Sequence, residues 1–138
     1  MKLFLDANIL VCVLNKEYPL FSYASRIVSL SDNKMFTVYT SPVCLAIAYY
    51  YAEKKSGTVM AKKKIEILVD NLLITDVGKS EVILSLQNKK VNDFEDGLEY
   101  YAALSCNCDI IITEDLSDFY FSTIPVLNST AFARKYLR

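Results

Sequence analysis

Three groups of carboxylates sit where they could act together. Asp6 ends the apolar run Lys2-Leu3-Phe4-Leu5, Asp115 closely follows Ile110-Ile111-Ile112-Thr113, and Asp93-Phe94-Glu95-Asp96 opens a helix-patterned segment. In an open parallel α/β sheet the ligand crevice lies outside the carboxyl ends of the strands, so these three regions can converge on one site. The chain contains no histidine, which excludes Ser-His-Asp and Cys-His catalysis and any His-ligated zinc centre. Two chemistries remain: a carboxylate pair acting alone, as in glycosidases, or carboxylates holding Mg²⁺ or Mn²⁺ through oxygen ligands. Aspartates crowded at a strand end repel one another, and a divalent ion neutralises them. Such an ion also polarises a phosphoryl oxygen and activates a water without a histidine base. The strand-end placement favours the metal.

The elements that must carry these groups alternate. Lys2 to Leu5 reads as a buried strand, and Leu20, Phe21, Ala24, Ile27, Val28 and Leu30 recur at helical spacing after Pro19. Met35 to Thr40 alternates as a strand; Ser41 then caps a helix with Pro42 at its first position, running through Lys55 until Gly57 ends it. Ala61 to Val69 reads as helix, Leu72 to Ile74 as strand and Lys79 to Gln87 as helix. A helix over Asp93 to Cys106, a central strand over Asp109 to Thr113, an edge strand over Pro125 to Leu127 and a terminal helix complete the pattern. On the helix from Asp93, a step of three sets Asp93 and Asp96 on one face, away from Phe94, Leu98 and Tyr101, so of Asp93 and Glu95 only Asp93 is expected to face the crevice. The strand and helix order predicts a three-layer α/β/α sandwich with a small central parallel sheet.

Size and charge narrow the function classes. The 138 residues, 53% hydrophobic, suit one domain over residues 1–138. Fifteen Lys+Arg against sixteen Asp+Glu leave a net charge of −1, so any nucleic-acid contact must be local or metal-mediated. The N-terminal apolar run has the look of a secretion signal, but Asp6 and Asn8 interrupt it and no small-residue cleavage site follows. Val43 to Ala52 is too short to span a bilayer. A cytoplasmic protein without membrane contact is expected. Cys12, Cys44, Cys106 and Cys108 lie in core-like segments and read as reduced thiols, and the Cys106-x-Cys108 pair lacks the partners of a zinc site. The three glycines are too scattered for a phosphate-cradling loop.

Three segments taken in order, Leu3-Phe4-Leu5-Asp6-Ala7-Asn8-Ile9-Leu10, Asp93-Phe94-Glu95-Asp96-Gly97-Leu98 and Ile111-Ile112-Thr113-Glu114-Asp115-Leu116-Ser117-Asp118-Phe119, resemble the signature blocks of the PIN-domain family. The resemblance covers essentially the whole chain. It implies a Mg²⁺- or Mn²⁺-dependent endoribonuclease, most often the toxin of a VapC-type toxin-antitoxin pair cleaving structured RNA, with a cognate antitoxin as partner and a homodimer as the common assembly. Asp6 then matches the first metal-binding aspartate, Asp96 the aspartate at the start of the long helix, Asp115 the Asp or Asn of the last block, and Asp118 the acidic residue before its phenylalanine. Asn8 and Thr113 match the small polar residues that support the site and are expected to help bind substrate. One position departs: the glutamate that the family carries in the helix after the second strand falls at Ile47, and an apolar side chain ligates no metal.

Plainer readings stand beside these. Asp93, Glu95 and Asp96 at a helix start complement the helix dipole, and Asp115 and Asp118 suit the cap of a short turn. Asp6 is harder to explain away, because a carboxylate after a buried strand needs a partner and no basic residue is near it in sequence. Tyr49-Tyr50-Tyr51 offers stacking faces for bases, although packing or a subunit contact suits it better. Lys54, Lys55, Lys62, Lys63 and Lys64, like Arg134, Lys135 and Arg138, read equally as phosphate contacts or solvated helix faces. The alternative to a nuclease is a catalytically weakened or inactive PIN-like protein that binds RNA or a protein partner, which Ile47 keeps open. A flavodoxin-like or receiver domain also places acids at strand ends, but this chain lacks a flavin loop and a suitable lysine strand.

Overall fold

A computed structural model describes residues 1–137 of the chain. Its centre is a sheet of five strands, β1 (Lys2–Leu5), β2 (Thr37–Thr40), β3 (Leu73–Ile74), β4 (Ile110–Ile112) and β5 (Val126–Leu127), all parallel and in the order β3-β2-β1-β4-β5. Leu3, Phe4, Leu5, Ile111 and Ile112 are fully buried. A strand covered on both faces needs apolar side chains in both directions, which explains the unbroken runs Leu3-Phe4-Leu5 and Ile110-Ile111-Ile112 in place of alternation. Phe4 sits opposite Tyr39 on one side and Ile111 on the other, and Ile111 is opposite Val126.

Six helices flank the sheet in the expected α/β/α arrangement: α1 (Ala7–Leu14), α2 (Phe21–Val28), α3 (Pro42–Asn71), α4 (Lys79–Gln87), α5 (Phe94–Ser105) and α6 (Ser129–Tyr136). The expected strand from Met35 begins at Thr37, whose N–H pairs with the Met1 carbonyl at 2.8 Å. The Ser41 hydroxyl caps α3 by accepting from Cys44 N at 3.1 Å, with Pro42 in the first turn, as expected. Two helical segments of α3 meet at Gly57, whose φ of 83° and ψ of 168° only glycine adopts freely. One element was not expected. Helix α1 follows Asp6 directly and buries Ala7, Ile9, Leu10, Cys12 and Leu14, so its sequence is apolar almost all round and shows no stripe.

The connection from β1 to β2 moves to one side of the sheet, and the chain later returns to place β4 on the other side of β1. The C-terminal ends of β1 and β4 therefore flank a switch in strand order, where α/β sheets open a crevice. Among the described residues no helix is long and apolar enough to cross a membrane.

Candidate metal centre

Asp6 is the first residue beyond β1, and its backbone N–H still pairs with the Ile112 carbonyl of β4 at 3.0 Å. Its side chain starts α1: Oδ1 accepts from Ala7 N at 2.6 Å. The other oxygen, Oδ2, accepts from the Thr113 hydroxyl at 2.7 Å and from Asn8 Nδ2 at 3.3 Å. These contacts hold a buried carboxylate in one orientation without neutralising it, since every donor is uncharged.

Asn8 and Thr113 tie the ends of β1 and β4 together. Asn8 Nδ2 also reaches Thr113 Oγ1 at 3.0 Å and Asp115 Oδ2 at 3.3 Å, while Asn8 Oδ1 accepts from Glu114 N at 3.1 Å. The Thr113 hydroxyl accepts from Asp115 N at 3.0 Å. Thr113 is fully buried, and these hydroxyl contacts are to the site's own residues. Asn8 lines the cavity directly.

A short 3-10 turn over Leu116–Phe119, anchored by buried Phe119, swings Asp118 back beside Asp115. Asp115 occupies the cap position of that turn but makes no side-chain cap bond, so the plain capping reading does not account for it. Its neighbour Glu114 is used elsewhere, accepting from Ser129 N and Oγ at 2.8 and 2.9 Å at the start of α6. Asp93 does cap α5, accepting from Glu95 N at 3.0 Å.

These groups line one cavity of about 380 Å³. Asp6, Asp96, Asp115 and Asp118, expected from three separate segments, all border it. Glu95 borders it beside Asp93, correcting the expectation that only Asp93 would face it: near the first turn of α5 both sides of the helix reach the opening. Ile47, Tyr51 and Glu17 complete much of the wall. Tyr51 and Tyr50 are exposed, whereas Tyr49 packs against the core and bonds Glu53 at 3.0 Å. None of the lysines of α3 borders the cavity; Lys55 Nζ is held by the Asn15 carbonyl at 2.5 Å. Arg138 lies outside the described residues.

Glu99 is the site residue that sequence reasoning passed over. It lies one step of three beyond Asp96 on α5, is 2% exposed, and its Oε2 has no hydrogen-bond partner. Asp6, Cys44 and Glu99 bring one potential ligand atom each within 4.8 Å of one another. The signal was present in the Asp93, Asp96, Glu99 spacing; extending the step once more would have found it. Cys44, read only as a small hydrophobe, sits at the same place because its helix starts beside the end of β2.

Crowding and burial disturb proton binding. Burial, then the charges of Asp118, Asp93, Asp6 and Glu95, push Asp96 up to about 7. Asp118 is also raised, by burial and by Asp115, Asp6 and Asp93. Glu99 is pushed up to about 11, chiefly by burial and then by Asp6. Among the described residues, eight of the cavity's lining side chains are carboxylates and none is basic. A donor set dominated by carboxylate oxygens, one of them buried without a hydrogen bond, fits a hard divalent cation, with the Cys44 thiol as the one soft atom beside it.

Comparison with known proteins agrees with this geometry. A family model described as the PIN domain matches residues 2–117. Ribonuclease VapC1 of Aquifex aeolicus (strain VF5) is 28% identical over 143 aligned residues, covering 98% of this chain and 95% of that protein. Among solved structures, VapBC2 from Rickettsia felis, bound to a DNA fragment from its promoter, matches with a TM-score of 0.72 at 22% identity, covering 93% of this chain and 98% of that one. VapBC-1 from nontypeable Haemophilus influenzae matches at 0.69 and 19%, over 94% and 99% of the two chains. Mycobacterium tuberculosis VapC20, described as a toxin that cleaves the sarcin-ricin loop, matches at 0.63 and 14%, over 79% and 86%. At these identities the structural matches establish the fold.

Proposed function

The chain belongs to the PIN-domain family, and from that premise we propose that it is a Mg²⁺- or Mn²⁺-dependent endoribonuclease, the toxin of a toxin-antitoxin pair acting on structured RNA. The observation that carries this reading is the convergence of Asp6, Asp96, Asp115 and Asp118 on one cavity that, among the described residues, holds no positive side chain. The similarity to Ribonuclease VapC1 supports the reaction class, and the VapBC complexes among the structural relatives support an antitoxin partner. We place the function in a single domain, 1–138, acting in the cytoplasm as a homodimer.

In this reading Asp6, Asp96 and Asp115 hold the cation, and Asp118 contributes directly or through water. When bound, the ion supplies Lewis-acid polarisation of a phosphodiester and lowers the pKa of a water. The chain's own residues do the rest. Thr113 and Ala7 N fix the Asp6 oxygens, and Asn8 couples Asp6 to Asp115 across the two strand ends. Exposed Asp115 and Asp118 border the cavity and would oppose a phosphate backbone, an opposition that a bound cation would lessen. The amide of Asn8, on the cavity wall, is shared among Asp6, Thr113 and Asp115, so the RNA contact proposed for it would exchange one of these bonds.

A second reading, an RNA- or protein-binding member that does not cut, is favoured by Ile47 on the cavity wall. One experiment separates them: labelled structured RNA incubated with the protein in Mn²⁺ or in EDTA, alongside Asp6→Asn. Cleavage only by the native chain in Mn²⁺ supports the nuclease; retention of RNA in EDTA with no products supports the binder; cleavage by Asp6→Asn removes the site assignment.

A further inference from the structure

Position 47, on α3, offers the cavity an isoleucine, so the wall formed by α3 contributes no carboxylate oxygen there. The facing helix does. Helices α3 and α5 pack together, and Glu99 of α5 borders the same cavity as Ile47. Resting on the metal-site reading above, we propose that Glu99 is the buried ligand of the cation, paired with Asp6 on the cavity floor and supplying the carboxylate that α3 lacks.

Three observations carry this. Glu99 is 2% exposed, and its Oε2 makes no hydrogen bond. Left ionised, a carboxylate there would cost several kcal/mol, to which Asp6 would add repulsion, and a bound cation would relieve both. Secondly, one ligand atom each of Asp6, Glu99 and Cys44 lies within 4.8 Å of the other two. Donors roughly 2.0–2.1 Å from a Mg²⁺ ion lie about 3–4 Å apart, so these side chains need only a slight closure to share one ion. Thirdly, Asp96 and Glu99 are neighbours on one helical face, which lets α5 present an outer and an inner carboxylate to the same ion. Cys44 is a soft donor and suits a hard cation poorly; its thiol lies within reach of the two carboxylates as a weak donor.

The test is isothermal titration with Mn²⁺ of chelator-stripped full-length protein, comparing the native chain with Glu99→Gln, Glu99→Met and Asp6→Asn, with each melting temperature recorded in EDTA. Glu99→Gln and the similarly sized Glu99→Met remove a buried acid whose Oε2 makes no hydrogen bond, so both should melt no lower than the native chain without metal. Both should bind Mn²⁺ roughly tenfold or more weakly, as loss of a charged ligand does. Native-like Mn²⁺ affinity in the Glu99 variants, with binding lost in Asp6→Asn, would overturn the role of Glu99 and leave the acidic site standing. No binding by the native chain would overturn the site reading and Glu99 with it.

Discussion

Thr113 shows how much one hydroxyl can govern. It donates to Asp6 Oδ2 and accepts from Asn8 Nδ2 and Asp115 N, so Thr113→Val keeps the shape, takes one bond each from Asp6 and Asn8 and leaves Asp115 N without this partner. Leaving buried groups unsatisfied costs roughly 1–3 kcal/mol, and loss of an orienting partner weakens metal binding by about 10–100-fold. Urea unfolding and Mn²⁺ titration of this variant should therefore both move; a change in stability alone would show that Thr113 merely packs. Asp96 and Glu99 give a second expectation. Their folded-state values, about 7 and about 11, exceed the ordinary 3.8 and 4.5. In EDTA the folded chain keeps protons that the unfolded chain has released, so stability is fully present below the ordinary values and falls as pH rises through that window. Each such proton is worth at most about 1.4 kcal/mol per pH unit. Melting temperature in EDTA should thus drop from pH 6 to pH 8. Saturating Mn²⁺ displaces those protons and should reverse the sign, with stability lost as pH falls.

Two glycines separate conformational strain from packing. At Gly57 the backbone has φ of 83°, yet a Cβ there would meet nothing within 4 Å. Gly57→Ala should cost about 1–3 kcal/mol of backbone strain and leave Mn²⁺ affinity unchanged. At Gly97 a Cβ would lie 2.9 Å from Ser85 Cβ and Oγ and from Val91 Cγ1. Gly97→Ala should cost a similar amount, about 1–3 kcal/mol, by overpacking. It also pushes α5 off α4, and with it Asp96 and Glu99, so here metal affinity should fall together with urea stability. The sequence revealed most of these elements, because caps and breakers are local: Ser41 with Pro42 announces α3, and Gly57 its break. Helix α1 escaped notice for a tertiary reason. Residues 7–14 bury several sides, so no polar stripe survives to mark a helical period. The same distinction explains the site. Asp6, Asp96 and Asp115 are read from strand ends and a helix start, whereas Glu99 sits among buried residues of α5, and only the packing of α5 against α3 reveals its lack of a partner.

Across the whole molecule the net charge is only −1, but that balance hides a strongly uneven distribution. Among the described residues, eight carboxylates and no basic side chain border the cavity, while lysines such as Lys54, stacked 5.0 Å from the Tyr50 ring, lie outside it. This segregation is invisible in composition, since the carboxylates come from segments more than a hundred residues apart along the chain. It means that the folded chain concentrates repulsion which the unfolded chain spreads out, and a cation that binds only the folded state must relieve it. Mass action sets the size of the effect: at a hundredfold excess over its Kd, such an ion adds about 2.7 kcal/mol. For a domain of this size that raises the melting temperature by several degrees. Adding Mn²⁺ to stripped protein at pH 7.5 should therefore raise the melting temperature in proportion to the logarithm of its concentration, and EDTA should return it to the starting value. Asp6→Asn should abolish the shift without lowering the metal-free value by more than the loss of one hydrogen-bonded charge. An equal shift in Asp6→Asn would mean that the ion stabilises the chain from somewhere other than this cavity.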